Sequence, residues 1–318
     1  MDKIIVIAGP TASGKTAVAV ALAKLIGGEV VSADSMQIYK GMDIGTAKPT
    51  LEEQQGIPHH MIDIVKPDEP FSAALYQQQA RAVIAGILAC GHVPILCGGT
   101  GFYINGVLYD VNFAADEDST GLTDMALREH YTSLAAEHGS GKLHSILLEA
   151  DPEAAMAIHP NNYKRVIRAL GYIQATGQLF SRYNRLQRER PPVYDAVFCR
   201  LEVNRPELYQ RINNRTQAMF DAGLADEVAG LMAQGYDRNL VSMQGIGYKE
   251  VIPLVLGEYT LPEAINAVQQ NSRNYAKRQQ TWFRNQNPDA LVADANGRTP
   301  GDIAQEINNW YNGRYNHT

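Results

Sequence analysis

The strongest constraint on the fold lies near the N-terminus, where an apolar run leads into a glycine-rich loop and then a helical pattern. Residues Lys3–Ala8 include four consecutive β-branched side chains, which predict a strand buried on both faces. Residues 9–16 read GPTASGKT and fit the phosphate-loop pattern G-x-x-x-x-G-K-[ST] in full. Residues 17–26 then have helix composition, and two glycines end the pattern. Strand, loop and helix therefore stand in the order that a phosphate site requires.

The chemistry of such a loop favours an anionic ligand. Its backbone N–H groups and the N-terminus of the following helix form a concave site for a phosphate or diphosphate group. Lys15 adds a positive charge, and the Thr16 hydroxyl is a candidate ligand for Mg²⁺. An incidental glycine-rich turn is the alternative, which the complete motif and its flanking elements disfavour. The candidate diphosphate-binding residues of the loop are Gly9, Pro10, Thr11, Ala12, Ser13, Gly14, Lys15 and Thr16.

A second candidate site residue, Asp34, ends the next predicted strand, residues 29–33. In a doubly wound sheet the carboxyl ends of the strands face the ligand. We therefore expect the Asp34 carboxylate near the group that is bound at Lys15. The sequence equally allows Asp34 to be an N-cap or turn residue together with Ser35.

The third predicted strand, residues 93–97, runs into glycines and a threonine instead of an acidic residue. Nucleoside triphosphatases hold their metal with an Asp on such a strand, so its absence argues against an ordinary ATPase or GTPase. The sequence Gly98-Gly99-Thr100-Gly101 indicates a backbone that approaches a ligand closely, with the Thr100 hydroxyl as a hydrogen-bond donor. A simple tight turn is the alternative.

The remaining pattern predicts an α/β protein with a P-loop NTPase-like core, in which a mostly parallel sheet is flanked by helices. Residues 72–90 have helical periodicity between two strands, which makes a βαβ unit. Residues 112–192 show successive helical segments without a convincing strand, and strand composition resumes at 196–203. We therefore predict a core of residues 1–112 and 193–318 and an all-helical insertion domain of residues 113–192.

A predicted helix at residues 206–222 carries two arginines one turn apart, so both point from one face. In P-loop kinases an Arg-bearing helix or lid closes over the transferred phosphate, and Arg215 is the candidate for this role on a diphosphate. For Arg211 a surface ion pair with Glu207 or Asp221 is the preferred interpretation.

Positive charge is concentrated in two segments although the chain as a whole is acidic, with a net charge of −6. Residues 164–190 hold seven basic residues and one acidic residue, and residues 273–284 hold four basic residues and no acidic one. The second group lies on a predicted helix that begins at a capping box, Thr260 to Glu263. There Arg273, Lys277 and Arg284 form a stripe, since at about 100° per residue they lie within ~40° of one another. Neighbouring tyrosines and Trp282 would allow base stacking, but solvated helix faces remain the alternative.

Other features indicate a cytoplasmic protein without a membrane segment. No window approaches 18 uninterrupted apolar residues, and the first residues lead directly into a strand-like run without a signal-peptide pattern. The three cysteines form no CxxC pair, so neither a disulfide framework nor a zinc site is indicated. We expect a monomer.

These residues together resemble a known family, the tRNA dimethylallyltransferases of the bacterial type. The resemblance covers essentially the whole chain, and DIGTAKP together with GGTGFY is its most specific part. The matching blocks are GPTASGKT at 9–16, SADSMQIYKGMDIGTAKP at 32–49, PHHMID at 58–63, GGTGFY at 98–103, IHPNNYKRVIRAL at 158–170, GIGYKE at 245–250 and KRQQTWFR at 277–284.

The resemblance implies an activity and roles for individual residues. The expected reaction transfers a dimethylallyl group from dimethylallyl diphosphate to the exocyclic N6 amine of the adenosine on the 3′ side of the anticodon in tRNA, and releases diphosphate. Such a phosphate loop holds a prenyl diphosphate instead of a nucleotide, which explains the missing acidic residue. By the same resemblance Asp34 is the general base, Thr100 hydrogen-bonds the reacting amine or diphosphate region, and Mg²⁺ on Thr16 is the cofactor.

The resemblance also implies a surface for the anticodon stem-loop of tRNA, part of it on the insertion domain. Two of its segments fall inside the basic segments found above. The expected tRNA-binding residues are Asp34, Ser35, Met36, Gln37, Thr100, Lys164, Arg165, Val166, Ile167, Arg168, Gln244, Gly245, Ile246, Gly247, Tyr248, Lys249, Arg273, Lys277, Arg278, Trp282 and Arg284.

Three other functions fit parts of the sequence. An adenylate isopentenyltransferase acting on free AMP, ADP or ATP shares the donor chemistry, but a mononucleotide needs neither the helical insertion nor the basic stripe. A P-loop small-molecule kinase would consume ATP. A non-catalytic RNA-binding protein would leave Asp34 and Thr100 without a role.

Overall fold

The computed structural model of the protein describes residues 1–111, 125–188 and 190–315. The chain divides into two compact units, one formed by Met1–Leu108 with Val193–Thr318 and the other by Tyr109–Pro192. The predicted start of the insertion domain, at residues 112 and 113, lies outside the described part of the chain.

The first half of the larger unit alternates strands with helices. Its elements are β1 (Lys3–Ala8), α1 (Lys15–Ile26), β2 (Gly28–Ala33), α2 (Leu51–Gln54), β3 (His59–His60), α3 (Ala73–Ala89), β4 (Val93–Gly98) and α4 (Gly101–Leu108). Gly27, with φ +65°, adopts the left-handed conformation that ends α1. The Ser72 hydroxyl accepts the Leu75 N–H and caps α3. These local signals explain why α1 ends, and α3 begins, close to where the sequence predicts.

The smaller unit is helical. Its elements are α5 (Met125–His138), α6 (Ser140–Ala150), α7 (Pro152–Ala157), α8 (Tyr163–Thr176) and α9 (Phe180–Arg188). Leu143, Leu147 and Val166 are fully buried in its core. The buried Asp151 carboxylate accepts the N–H groups of Ala154 at 3.0 Å and Ser181 at 2.7 Å, and so caps α7 and links it to α9.

The second half of the larger unit completes the sheet and covers it. Its elements are β5 (Asp195–Glu202), α10 (Arg205–Asp221), α11 (Leu224–Ala233), α12 (Ile252–Val255), α13 (Leu261–Gln286), β6 (Leu291–Asp294) and α14 (Pro300–Tyr315). The predicted capping box starts α13, where the Thr260 N–H donates to the Glu263 carboxylate at 2.7 Å. The strand β6 and the helix α14 were not predicted.

The six strands form one sheet in the order β3-β2-β4-β1-β5-β6, and each pairing between them is parallel. Gly98 pairs with both Ala8 and Ala33, so the carboxyl ends of the three central strands β2, β4 and β1 lie side by side. The loops that begin at Gly9, Asp34 and Gly99 therefore start at one edge of the sheet, as expected for this fold class. Within the described ranges, no helix has the length and apolarity needed to cross a membrane.

Candidate active site

The loop between β1 and α1 has the features of an anion site. Gly14 has φ +89°, and no atom lies within 4 Å of the position that a Cβ would occupy there. The Lys15 Nζ donates to the Pro10 carbonyl at 2.7 Å, and Thr16 lies half-buried in the first turn of α1. The Ser13 hydroxyl is buried and has no hydrogen-bond partner among the described residues. A buried donor of this kind is satisfied if an anion binds in the loop.

Lys15 lies where its charge is costly without an anion. Burial, together with the smaller effect of the nearby Arg215 charge, lowers the pKa of its ammonium group from 10.5 to about 8, although Cys97 and Asp34 act in the opposite direction. Burial also lowers the pKa of the Arg215 guanidinium, and Asp34 opposes this shift. The Asp34 carboxylate is therefore close enough to interact with both cations.

The loops after β2 and β4 bring Asp34 and Thr100 together. The Thr100 Oγ1 accepts the Ser35 N–H at 3.0 Å, and the Thr100 N–H donates to the Ala33 carbonyl at 3.0 Å. Asp34 also forms the turn that the sequence allowed, because its Oδ1 accepts the Met36 N–H at 2.9 Å. A carboxylate offers further lone pairs, so this bond leaves Asp34 able to accept a proton.

The helix α10 supplies one arginine to the phosphate loop and keeps the other outside it. The Arg215 guanidinium donates to the Thr11 hydroxyl. Arg211 instead pairs with Glu207 at 2.5 Å and donates to the Ala295 carbonyl at 3.0 Å. The ion pair predicted for Arg211 is thus confirmed, and only Arg215 reaches the loop.

The buried side of α13 packs against the same loops. The Gln279 Oε1 accepts the Thr11 N–H at 2.8 Å, and its Nε2 donates to the Gly99 carbonyl at 2.9 Å. Burial and Asp34 raise the pKa of Tyr275 to about 12, while hydrogen bonds to Thr100 and Gln279 oppose the shift. The tyrosine hydroxyl therefore lies beside Thr100.

The segment after Asp34 is held by two half-buried polar side chains, Gln37 and Glu227. The Gln37 amide accepts the Ser32 hydroxyl at 2.9 Å and donates to the Ala47 carbonyl at 3.2 Å, so it is engaged within the protein. The Glu227 carboxylate accepts the N–H groups of residues 43, 44 and 45, at 3.0, 2.8 and 3.1 Å, and the Tyr248 hydroxyl at 2.6 Å. Glu227 thus links the blocks at 32–49 and 245–250.

The expected tRNA-binding residues differ in accessibility. Lys164, Arg165 and Arg168 are exposed on α8, and Gln244 and Lys249 are exposed as well. Three of the expected residues have side chains in hydrophobic cores, where no ligand reaches them: Val166 and Ile167 on the inward face of α8, and Tyr248 in the turn before α12. Gly247 is buried at φ +99°, while Ser35, Met36, Gly245, Ile246 and Trp282 are half-buried.

The basic stripe on α13 is only partly open. Lys277 and Arg278 are exposed, and Arg284 lies 3.5 Å from Glu202. The half-buried Arg273 guanidinium donates to the Asn213 side chain of α10 at 2.6 Å. In the smaller unit Arg185 pairs with Glu153 at 2.6 Å, while the side chain of Arg188 and all of Glu189 lie outside the described residues. The positive charge that the sequence places in these two segments is therefore partly neutralised by ion pairs with Glu202 and Glu153.

The oxygen donors at this edge of the sheet fit Mg²⁺. This ion prefers hard oxygen ligands and commonly binds through one or two carboxylates together with substrate phosphates. The Thr16 hydroxyl is a donor of this kind, in the first turn of α1 beside the phosphate loop that follows β1. Thr16 is therefore the candidate metal-holding residue.

Comparison with known proteins identifies the family. The IPP transferase family model matches residues 37–286, and the isopentenyl transferase family model matches residues 2–68. The tRNA dimethylallyltransferase of Geobacillus thermodenitrificans is 50% identical over 287 residues, which cover 90% of this chain and 89% of that protein. The chain belongs to the tRNA dimethylallyltransferase family. It is therefore a prenyltransferase, and the predicted resemblance is confirmed.

Solved structures of this tRNA dimethylallyltransferase family share the fold. The tRNA isopentenylpyrophosphate transferase of Staphylococcus epidermidis has a TM-score of 0.72 and 42% identity, covering 99% of this chain and 100% of that one. A eukaryotic dimethylallyltransferase, captured in crystallographic snapshots of its action on tRNA, has a TM-score of 0.80 and 28% identity, covering 100% of this chain and 81% of that one. The predicted P-loop-type α/β fold is confirmed.

Sequence reasoning missed two residues that organise the site of this family member. Gln279 and Glu227 join segments that are far apart in the chain, so local patterns carry no sign of their partners. The glycines at 99 and 101 were predicted to let the backbone approach a ligand. In the structure they are approached by side chains of α13, since a Cβ at Gly99 would lie 2.3 Å from the Gln279 Nε2 and one at Gly101 would lie 2.1 Å from the Trp282 ring.

Proposed function

We propose that the protein transfers a dimethylallyl group from dimethylallyl diphosphate to the exocyclic N6 amine of the adenosine on the 3′ side of the anticodon in tRNA, releasing diphosphate. The proposal agrees with the names of the relatives, which are tRNA dimethylallyltransferases. The observation that carries it is the proximity of Asp34 and Thr100 to the cationic phosphate loop, because a base beside a leaving-group site is what this reaction needs.

The leaving group determines what the loop must do. The allylic C–O bond breaks, its electron pair goes to the diphosphate, and negative charge increases on that group in the transition state. The loop N–H groups, Lys15 and Arg215 then bind the diphosphate more strongly than in the ground state, which lowers the barrier. Mg²⁺ held by Thr16 would neutralise part of the same charge.

The acceptor amine determines the role of Asp34. An adenine N6 amine is a poor nucleophile, because its lone pair is delocalised into the ring. As its nitrogen forms the new bond to the allylic carbon it must lose a proton, and the Asp34 carboxylate is the base that accepts it. Thr100, bonded to the Ser35 N–H, holds the loop that carries Asp34 and offers a hydroxyl to the amine or the diphosphate.

The acceptor must be an unstacked adenine. A base within an RNA stack cannot reach a half-buried carboxylate, so the adenosine leaves its neighbours and enters the site. The exposed cations Lys164, Arg165, Lys277 and Arg278 are suited to hold the RNA backbone while this occurs. We assign to the smaller unit a role in contacting the anticodon stem-loop, and we expect a monomeric, cytoplasmic enzyme.

A transfer assay separates this function from its closest rival. The protein is incubated with radiolabelled dimethylallyl diphosphate and Mg²⁺, and with either an anticodon stem-loop or AMP. We expect label on the stem-loop and none on AMP. Label on AMP alone would identify an adenylate isopentenyltransferase, and ATP consumption without label transfer would identify a kinase.

The lowered pKa of Lys15 predicts how donor affinity depends on pH. The protonated ammonium group binds diphosphate, and the group loses its proton as the pH rises through about 8. Affinity for diphosphate should therefore weaken above that pH. Calorimetry from about pH 6.5 to 9.5 measures the diphosphate affinity of the wild type and of Lys15→Met. The variant is the reference because the ionisation of diphosphate itself affects the affinity of both proteins equally. Parallel pH profiles for the two proteins would contradict the assignment.

The exposed cations on α13 predict the salt dependence of RNA binding. Lys277→Ala should weaken stem-loop binding and reduce the slope of log K against log salt by about one unit for the lost phosphate contact. Arg273→Ala should change the slope less, because its guanidinium already bonds the Asn213 side chain. Titrations at several salt concentrations measure both slopes. An unchanged slope in Lys277→Ala would mean that this side chain only faces solvent.

A further inference from the structure

One buried amide on α13 links the two halves of the candidate site. Gln279 is 6% exposed. It accepts the N–H of Thr11 in the phosphate loop and donates to the carbonyl of Gly99, the residue before Thr100. One turn earlier lies Tyr275, whose pKa is raised by burial against the opposing effect of the nearby Thr100 and Gln279. A single turn of helix thus contacts both the loop for the leaving group and the loop beside the base.

The distance between α13 and the loop at 98–101 is fixed by close packing. A Cβ at Gly99 would lie 2.3 Å from the Gln279 Nε2, and one at Gly101 would lie 2.1 Å from the Trp282 ring. Both separations are far below van der Waals contact, so a side chain at either position would displace the Gln279 amide or the Trp282 ring. Any shift of this part of α13 is therefore transmitted to the loop.

The opposite side of the same turns is exposed and cationic. Lys277 and Arg278 are exposed, whereas Gln279 is buried. At about 100° per residue, Gln279 lies roughly 200° around the helix from Lys277, on the opposite side. If RNA docks on Lys277 and Arg278, as the proposed function requires, it binds the rigid element whose other side holds Thr11 and Gly99.

We propose that Gln279 is a positioning residue that couples RNA docking on α13 to diphosphate binding in the phosphate loop. This inference rests on the proposed function. The Thr11 N–H and the Gly99 carbonyl are held at a fixed separation by the two ends of one amide, and the Thr11 hydroxyl in turn accepts the Arg215 guanidinium. RNA that shifts α13 moves both loops together and strengthens diphosphate binding. By linkage, diphosphate strengthens RNA binding by the same factor.

The test compares Gln279→Met with Gln280→Met in the full chain. Met has a similar length but makes neither hydrogen bond. Gln280 is the matched control, because it is the next residue and its amide donates to the Val203 carbonyl at 3.4 Å instead of to either loop. Calorimetry with inorganic diphosphate and Mg²⁺, with and without a saturating anticodon stem-loop, measures the coupling.

In the wild type we expect the stem-loop to tighten diphosphate binding about tenfold, within the usual range of coupling between sites. In Gln279→Met this factor should fall to one, and kcat for dimethylallyl transfer should fall about 10²-fold, as for a small misplacement of reacting groups. The affinity for the stem-loop alone should stay at its wild-type value. Gln280→Met should keep the wild-type coupling and kcat.

The proposal is overturned if Gln279→Met keeps the wild-type coupling between stem-loop and diphosphate binding. It is also overturned if the wild type shows no coupling, or if Gln280→Met loses as much coupling as Gln279→Met. If thermal melting shows that Gln279→Met is unfolded, Gln279→Asn replaces it, because its shorter amide reaches only one of the two partners. The same outcomes then apply.

The coupling is measured by binding experiments in which no group transfer occurs. A wild type that binds RNA and diphosphate cooperatively but transfers no label would contradict the proposed function and leave the coupling established.

Discussion

Replacing Asp34 by Asn should lower kcat for dimethylallyl transfer by about 10²–10⁴-fold, the range expected for the loss of a general base. The Asn Oδ1 can still accept the Met36 N–H, which Asp34 binds at 2.9 Å, so the turn is kept. The variant lacks the negative charge and the proton acceptor beside Thr100. RNA affinity should stay within a few fold of the wild type. Single-turnover transfer at saturating RNA and donor measures the chemical step.

A carboxylate from the same segment provides the control for Asp34. Asp43 is exposed, and its carboxylate pairs with Lys48 at 2.5 Å. Asp43→Asn should therefore keep nearly wild-type turnover. Asp34→Ala should lose as much activity as Asp34→Asn and in addition lose the turn hydrogen bond. Turnover of Asp34→Asn at the level of Asp43→Asn would remove Asp34 from the proton transfer.

Arg215→Gln should lower kcat by about 10²–10³-fold, the loss measured when one donor to a developing anion is removed. The Gln amide can still donate to the Thr11 hydroxyl, which Arg215 contacts now, but it carries no charge. Because the diphosphate gains negative charge as the C–O bond breaks, the missing cation affects the transition state more than the ground state. The loss in kcat should therefore exceed the loss in affinity for inorganic diphosphate, and steady-state kinetics with calorimetry measures both.

Arg211 is the matched control for Arg215 because it lies one turn earlier on α10. Its guanidinium bonds Glu207 and the Ala295 carbonyl. Arg211→Gln should reduce stability slightly and leave kcat near its wild-type value. Equal losses in the two variants would mean that Arg215 acts through the stability of the helix and not on the diphosphate.

The parts of the site that could be predicted from the sequence are those specified locally. The phosphate loop is a continuous motif, and β-branched residues before it and a left-handed glycine after α1 mark its flanking elements. Asp34 was predicted near the bound group because the carboxyl ends of strands face the ligand, and Thr100 because the glycines around it indicate a close approach to a ligand. In the structure Gly98 pairs with Ala33, so the two loops begin side by side. The roles of Asp34 and Thr100 in the reaction stay predictions.

The parts that could not be predicted depend on contacts between distant segments. Glu227 collects three backbone N–H groups from residues 43–45, and nothing in the sequence around either segment specifies that pairing. In the sequence, Gln279 is one polar residue among several in a basic helix, and its partners are evident only from the packing of that helix on the two loops. The basic stripe is a third case, because Arg273 faces α10, and only tertiary packing determines that its guanidinium meets Asn213. The strand β6 is only four residues long, too short for a clear periodic pattern.

The central claim is that one site holds the diphosphate in the phosphate loop and the adenine beside Asp34. A structure of the protein with an anticodon stem-loop and diphosphate tests it most directly. The diphosphate should lie against residues 9–16 and Arg215, and the N6 of the flipped adenine should lie about 2.6–3.2 Å from an Asp34 carboxylate oxygen, the reach of a general base. An adenine that remains stacked in the RNA, or one whose N6 points away from Asp34 while diphosphate fills the loop, would contradict the account.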